Sequence, residues 1–197
     1  MNYLAHIYLS APDEDLMLGN FFGDFIRSKE VKLYPQKIQN GVLLHRQLDA
    51  YNDRHSAFKE MVNLLRPALR KYAPVALDIL NDYFLSTNWE IESDLSLNEF
   101  CACFYQILLN AQHPLPFKLN HKIHIMIDHD FLMSTSTLRR LKGTMQHMDR
   151  RARFPSNFVG AMSILEKNME QFISAYEILM VDLRIFCQER IAEFSRS

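Results

Sequence analysis

Within its first ninety residues the chain interrupts apolar runs with acids and imidazoles, at Asn2-Tyr3-Leu4-Ala5-His6, Gly23-Asp24-Phe25, His45-Arg46-Gln47-Leu48-Asp49 and Asp78-Ile79-Leu80-Asn81-Asp82-Tyr83-Phe84-Leu85. A carboxylate or imidazole among core residues is costly to bury unless a charge or a hydrogen-bonding group meets it. Any fold that buries these runs must bring such partners to the polar side chains. A divalent cation is the partner these residue types suggest most directly.

Apolar residues recur at three- and four-residue spacing, no period-2 alternation is sustained, and 197 residues hold only five Gly and seven Pro. This predicts an all-α, single-domain helical bundle over residues 1–197. After an extended or helical Met1–Ser10, the turn signal Ala11-Pro12-Asp13 leads into a helix over Asp15–Ser28. Further helices are predicted at Gln36–Asn52, Ser56–Tyr72 with a kink or break at Pro67, Val75–Trp89, Ser96–Ala111, Leu119–Met133 and Thr135–Met148, with one long final helix in Phe158–Phe194.

A formal net charge of −1 argues against a nucleic-acid-coating surface. Its distribution is uneven: Arg139, Arg140, Lys142, Arg150, Arg151 and Arg153 cluster in one segment, while Asp78, Asp82, Glu90, Glu92, Asp94 and Glu99 fall in a stretch without Lys or Arg. One face is expected to attract anions and another cations. Cys101, Cys103 and Cys187 form no C-x-x-C pair and read as reduced, mostly packed thiols. With no signal-like segment and no run of eighteen apolar residues, the expectation is a cytoplasmic protein that neither enters nor crosses a membrane.

His45 and Asp49, Asp49 and Asp53, and Asp78 and Asp82 are each four apart, so each pair shares a helix face. Two such helices facing each other could enclose a cation. Imidazole nitrogen with carboxylate oxygen suits Mn²⁺, Fe²⁺ or Mg²⁺ better than a thiolate zinc site. The bland alternative is a set of solvated i,i+4 pairs. A rival cluster lies at His121, His124, Asp128 and His129-Asp130, for which the alternative is polar side chains on an amphipathic helix. His55 and His113 stand beside turns and read as surface or capping residues. The local signatures of serine hydrolases, P-loop proteins and dinucleotide-binding folds are missing from the sequence.

The ordered set Asn2–His6, Leu18–Arg27, Gly41–Asp49, Asp53 and Ala73–Leu85 resembles the acyl carrier protein phosphodiesterase family. The resemblance implies a helical, divergent branch of the HD phosphohydrolases that uses a divalent metal, usually manganese, with Mg²⁺ and Fe²⁺ as alternatives. It implies removal of 4′-phosphopantetheine from holo-acyl carrier protein, with neither nucleic acid nor membrane as partner. It places His6, Asp24, His45 and Asp78 around the metal. Asp49 and Asp82 become further ligands or water-orienting carboxylates, and Arg46 either pairs with the phosphate or bridges to Asp49 or Asp53. The Arg139–Arg153 segment becomes a docking surface for the acidic carrier protein, with Arg27, Lys29 and Lys32 as a second patch. Where the family often has Asp-His-Phe-Leu, this chain has Asp82-Tyr83-Phe84-Leu85. Two other readings stay open: an HD-type phosphohydrolase of a small phosphodiester, and a non-catalytic helical binding module.

Overall fold

The computed structural model describes residues 2–196. Among them there is no strand; the helices are α1 (Tyr3–Ser10), α2 (Glu14–Phe22), α3 (Gln36–Arg54), α4 (Ser56–Leu69), α5 (Ala73–Thr87), α6 (Trp89–Glu92), α7 (Leu97–Leu109), α8 (Phe117–Asn120), α9 (Ile123–Asp128), α10 (Leu138–Arg151), α11 (Gly160–Lys167) and α12 (Met169–Phe194). The all-α expectation is met. No helix among the described residues is long and apolar enough to cross a membrane.

One contiguous apolar core runs through the bundle, with Phe21, Phe22, Phe84, Phe104, Phe158 and Phe172 fully buried. α2 lies along α3, α1 packs on α2 and α5, and α12 closes the far side against α3 and α4. The approach of α2 to α3 is set by two glycines. A Cβ on Gly19 would collide with the Ile38 carbonyl and come within 2.8 Å of the Gly41 Cα, and a Cβ on Gly41 would lie 2.5 Å from the Leu16 carbonyl. The helices meet backbone to backbone, a spacing that only glycine permits.

An isolated eight-residue helix such as α1 is unstable in water, and its N-cap Asn2 makes no side-chain cap bond. A tertiary cap replaces the local one. The Leu4 and Ala5 N–H groups donate to the two carboxylate oxygens of Asp82 on α5, each at 3.1 Å. Asp82 thus satisfies donors that every helix N-terminus leaves open, with its charge on the favourable end of the dipole.

The sequence reading missed some boundaries. Pro67 does not break α4, which runs two residues past it before Arg70 takes a left-handed φ of 50°. The helix expected over Leu119–Met133 is divided among α8, α9 and a short turn, because Asp130 adopts φ 50° while Tyr105 binds its carboxylate at 2.8 Å and the Leu132 N–H at 3.0 Å. The long final helix is two, parted at Asn168, whose side chain donates to the Ile164 carbonyl at 2.8 Å. The acid-rich stretch does not form one cation-attracting face: Asp82 is buried and Glu92 pairs with Arg184 at 2.7 Å, leaving Glu90, Asp94 and Glu99 exposed.

α10 carries its basic residues outward over buried Leu141 and Met145. Mid-helix Gly143 has nothing within 4 Å of where its Cβ would be. Glycine there costs about 1 kcal/mol relative to alanine, and packing does not require it.

Burial raises the Asp82 carboxyl to about 7, against the pull of the two N–H donors. Between the ordinary carboxylate value and about 7 the folded chain holds a proton that the unfolded chain has lost, so this residue's contribution to stability falls as pH rises. Asp82→Ala, which strands two buried N–H groups, is expected to cost about 2 kcal/mol in urea unfolding, with a smaller cost at pH 8 than at pH 5. A cost that grows with pH would show that Asp82 is held ionised by another partner.

Candidate metal centre

His6 comes from α1, Asp24 from the turn after α2, and His45 and Asp49 from one face of α3. The turn is fixed by Phe25 N–H and Ile26 N–H, which donate to the Phe22 carbonyl at 2.8 and 2.9 Å, and by Phe25 stacking on Tyr3 with centroids 5.8 Å apart. Gly23 lets the turn lie against the His45 ring; a Cβ there would overlap it.

The two imidazoles stack with centroids 4.0 Å apart. His6 Nε2 lies 3.2 Å from Asp49 Oδ1, and His45 Nε2 lies 3.3 Å from Asp49 Oδ2 and 3.5 Å from Asp24 Oδ1. Ligand atoms of His6, His45 and Asp49 all fall within 4.8 Å of one another. Adjacent ligands about 2.1 Å from an octahedral ion stand about 3 Å apart, so these separations are those of a site able to close on one cation.

The protons favour the same reading. Asn20 Nδ2 donates to the His6 carbonyl at 2.8 Å and to Ser10 Oγ at 3.3 Å, which turns its Oδ1 toward His6 Nδ1, also at 2.8 Å. His6 Nδ1 must therefore carry the ring's proton. Burial lowers the His6 pKa to about 4, so the ring is neutral near pH 7 and Nε2 is a bare lone pair facing a carboxylate oxygen. Metal-binding histidines are oriented in this way, with the second nitrogen donating to a fixed oxygen. Burial alone would raise Asp24, yet the His45 imidazole beside it holds its carboxyl below the usual carboxylate range. His45 Nδ1 is buried and has no hydrogen-bond partner among the described residues.

The structure distributes the expected site residues unevenly. His6, Asp24 and His45 lie together with Asp49, which the family resemblance had left as a further ligand or a water-orienting carboxylate. Asp78, raised to about 6 by burial and then by Asp49 and Asp53, stands half-buried beside the cluster. Both Asp82 oxygens serve the start of α1. Arg46 is exposed and donates to Ser28 Oγ at 3.4 Å, and it forms no ion pair with Asp49 or Asp53 among the described residues. Tyr83 packs in the core beside Phe84, apart from the cluster.

In the rival cluster His124, Asp128 and His129 are exposed, and Asp130 is engaged by Tyr105 and by Arg140 at 3.3 Å. His55 caps α4, accepting from the Ala57 N–H at 3.2 Å and meeting Asp182 at 2.9 Å. Sequence reasoning missed Asn20 and Gly23. Their signal was a polar amide inside an apolar helix and a glycine directly before the acid.

A family profile described as acyl carrier protein phosphodiesterase matches residues 1–183. Proteins named acyl carrier protein phosphodiesterase are 38% identical over 101 residues in Klebsiella pneumoniae (51% of this chain, 52% of that protein), 37% over 101 residues in Yersinia enterocolitica (51% and 52%) and 34% over 105 residues in Escherichia coli (53% and 54%). The chain spans about half the length of the curated relatives it matches. No solved structure matches it.

A methyl group at Gly23 must displace the His45 ring, so Gly23→Ala is expected to destabilise the protein by about 1–3 kcal/mol and to shift the His45 ring resonances in NMR spectra. Unchanged resonances would mean that the turn moves and His45 does not.

Proposed function

The chain belongs to the acyl carrier protein phosphodiesterase family, and we propose that it hydrolyses the phosphodiester between the carrier-protein serine and 4′-phosphopantetheine in a metal-dependent reaction, releasing apo-acyl carrier protein. The observation that carries this reading is the bare His6 Nε2 set 3.2 Å from Asp49 Oδ1, beside a second imidazole and a second carboxylate. Imidazole nitrogen and carboxylate oxygen converge here as a donor set that one cation can draw together.

His6, Asp24, His45 and Asp49 would hold the ion, with Asp78 as a further oxygen donor from α5. Nitrogen and hard oxygen donors without thiolate favour Mn²⁺, with Mg²⁺ or Fe²⁺ as substitutes. When bound, the ion supplies Lewis acidity toward the phosphate and lowers the pKa of water. Arg46, exposed and next to His45 in sequence, would turn from Ser28 to the non-bridging phosphate oxygens. Asp49 can orient water through whichever oxygen faces it. The water oxygen bonds to phosphorus, the phosphorus–oxygen bond to serine breaks, and the serine oxygen takes up a proton. Asp82 holds α1, and through it His6, in place.

The relation to HD phosphohydrolases and a cytoplasmic setting belong to this same proposal. The partner is an acidic carrier protein, for which the exposed Arg150, Arg151 and Arg153 offer a complementary surface.

Mass spectrometry of holo-acyl carrier protein incubated with this protein should show loss of the prosthetic group with Mn²⁺ and none in excess EDTA. Full turnover in EDTA would overturn the reading. Asn20→Ala should weaken Mn²⁺ binding about 10- to 100-fold by calorimetry, because it frees the His6 tautomer.

Reversing charge at Arg150, Arg151 and Arg153 should raise KM for the carrier protein more than it lowers kcat. Wild-type kcat/KM should also fall more steeply with added salt than that of the triple variant, since exposed pairs are screened over about 8 Å at about 0.15 M ionic strength. Equal salt dependence would mark the segment as a solvated face.

A further inference from the structure

A groove of about 1340 Å³ runs between α5, α9 and α10 and opens beside the start of α1. Tyr3 and Asp78 line it, so it reaches the carboxylate that feels the charge of Asp49. Val75 and Ile79 of α5, Met126 of α9 and Met148 of α10 give it apolar surface, with Lys71, Lys122, Arg140, Arg150, Arg151 and Arg153 as cations around it. Sites for drug-sized ligands typically measure about 300–1,000 Å³, so there is room for an elongated molecule.

One wall is bare helix. Gly143 lines the groove in the middle of α10, and a Cβ there would meet nothing within 4 Å. A helix-interior glycine is unfavourable, and no neighbour inside the protein requires it. Its effect is to leave the wall flat where a side chain would fill the groove.

We propose that this groove holds the pantetheine arm of the substrate, laid along α10 at Gly143 and extending away from the phosphate at the metal centre. The proposal rests on the phosphodiesterase reading. The arm is linear and carries no charge beyond its phosphate, and its gem-dimethyl and methylene groups suit a lining of Met, Ile and Val. The cations Arg150 and Arg153 are exposed at the same groove and have no counterpart on the arm. They would face the acidic protein to which the arm is tied.

The test compares wild type, Gly143→Ala and Gly143→Trp. The indole enters open space, and circular dichroism checks the fold. With Mn²⁺ present, Gly143→Trp should raise KM for holo-acyl carrier protein at least about tenfold, while Gly143→Ala leaves it unchanged. Binding of apo-acyl carrier protein, which has no arm, should be unaffected by Gly143→Trp. Normal KM in Gly143→Trp would overturn the proposal. So would an equal loss of apo-protein binding, which would give the groove to the carrier protein itself. Saturation-transfer NMR with free pantetheine separates the two readings: a signal with wild type that Gly143→Trp abolishes supports the groove even if holo-acyl carrier protein is not cleaved. No signal with wild type overturns it even if cleavage occurs.

Discussion

The near contact of α2 and α3 at Gly19 and Gly41 is the constraint on which the site depends. A residue with a side chain at either position would push the helices apart. Asp24, at the end of one, would then separate from His45, on the face of the other, and the 3.5 Å approach between them would be lost. Gly23 repeats the device one turn later, against the imidazole itself. A site made from two helices and the turn between them needs little scaffolding beyond these glycines and a rigid third element.

The third element is α1, and it is held by polar groups at both ends. Asp82 anchors its first turn, while Ser10 Oγ donates to the His6 and Ile7 carbonyls and receives the Asn20 amide. Asp82, the α1 backbone, Ser10, Asn20 and His6 form one chain of bonds from α5 through α1 to α2. Along that chain Asp82 meets the Leu4 and Ala5 N–H groups, Ser10 meets the His6 carbonyl and the Asn20 amide, and Asn20 meets His6, which is how polar groups persist in a core. The cost of keeping Asp82 away from water is visible in its raised pKa. Removing the acid would abandon two backbone donors with nothing to replace it.

Much of this was legible in the sequence, for physical reasons. Helix type follows from apolar spacing, and His45 with Asp49 follows from the i,i+4 rule. That His6 and Asp24 join them came from the ordered motifs, since spacing does not connect different helices. The division of roles between Asp49, Asp78 and Asp82 was not legible. Asp78 and Asp82 share a helix face, yet one borders an open groove and the other faces the end of a neighbouring helix. Only the packing of α1 on α5 separates them. The breaks at Asp130 and Asn168 were hidden for a related reason: neither is a glycine or proline, and in each case side-chain hydrogen bonding accompanies the break.

The near-zero net charge conceals an arrangement of opposite fields side by side. The carboxylates of Asp24 and Asp49 would repel a phosphodiester, and ligands of this kind become useful toward an anion only after a cation has reversed their sign. The basic residues of α10, more than ninety positions later in the chain, border a groove that opens at the same place. An anion approaching from that side meets positive charge before it reaches Asp24 and Asp49. Six cations line the groove, Lys71, Lys122, Arg140, Arg150, Arg151 and Arg153, against the single carboxylate of Asp78, so its field is positive beside the acid cluster. Val75, Ile79, Met126 and Met148 give the same groove apolar surface, and Gly143 leaves it open on the α10 side.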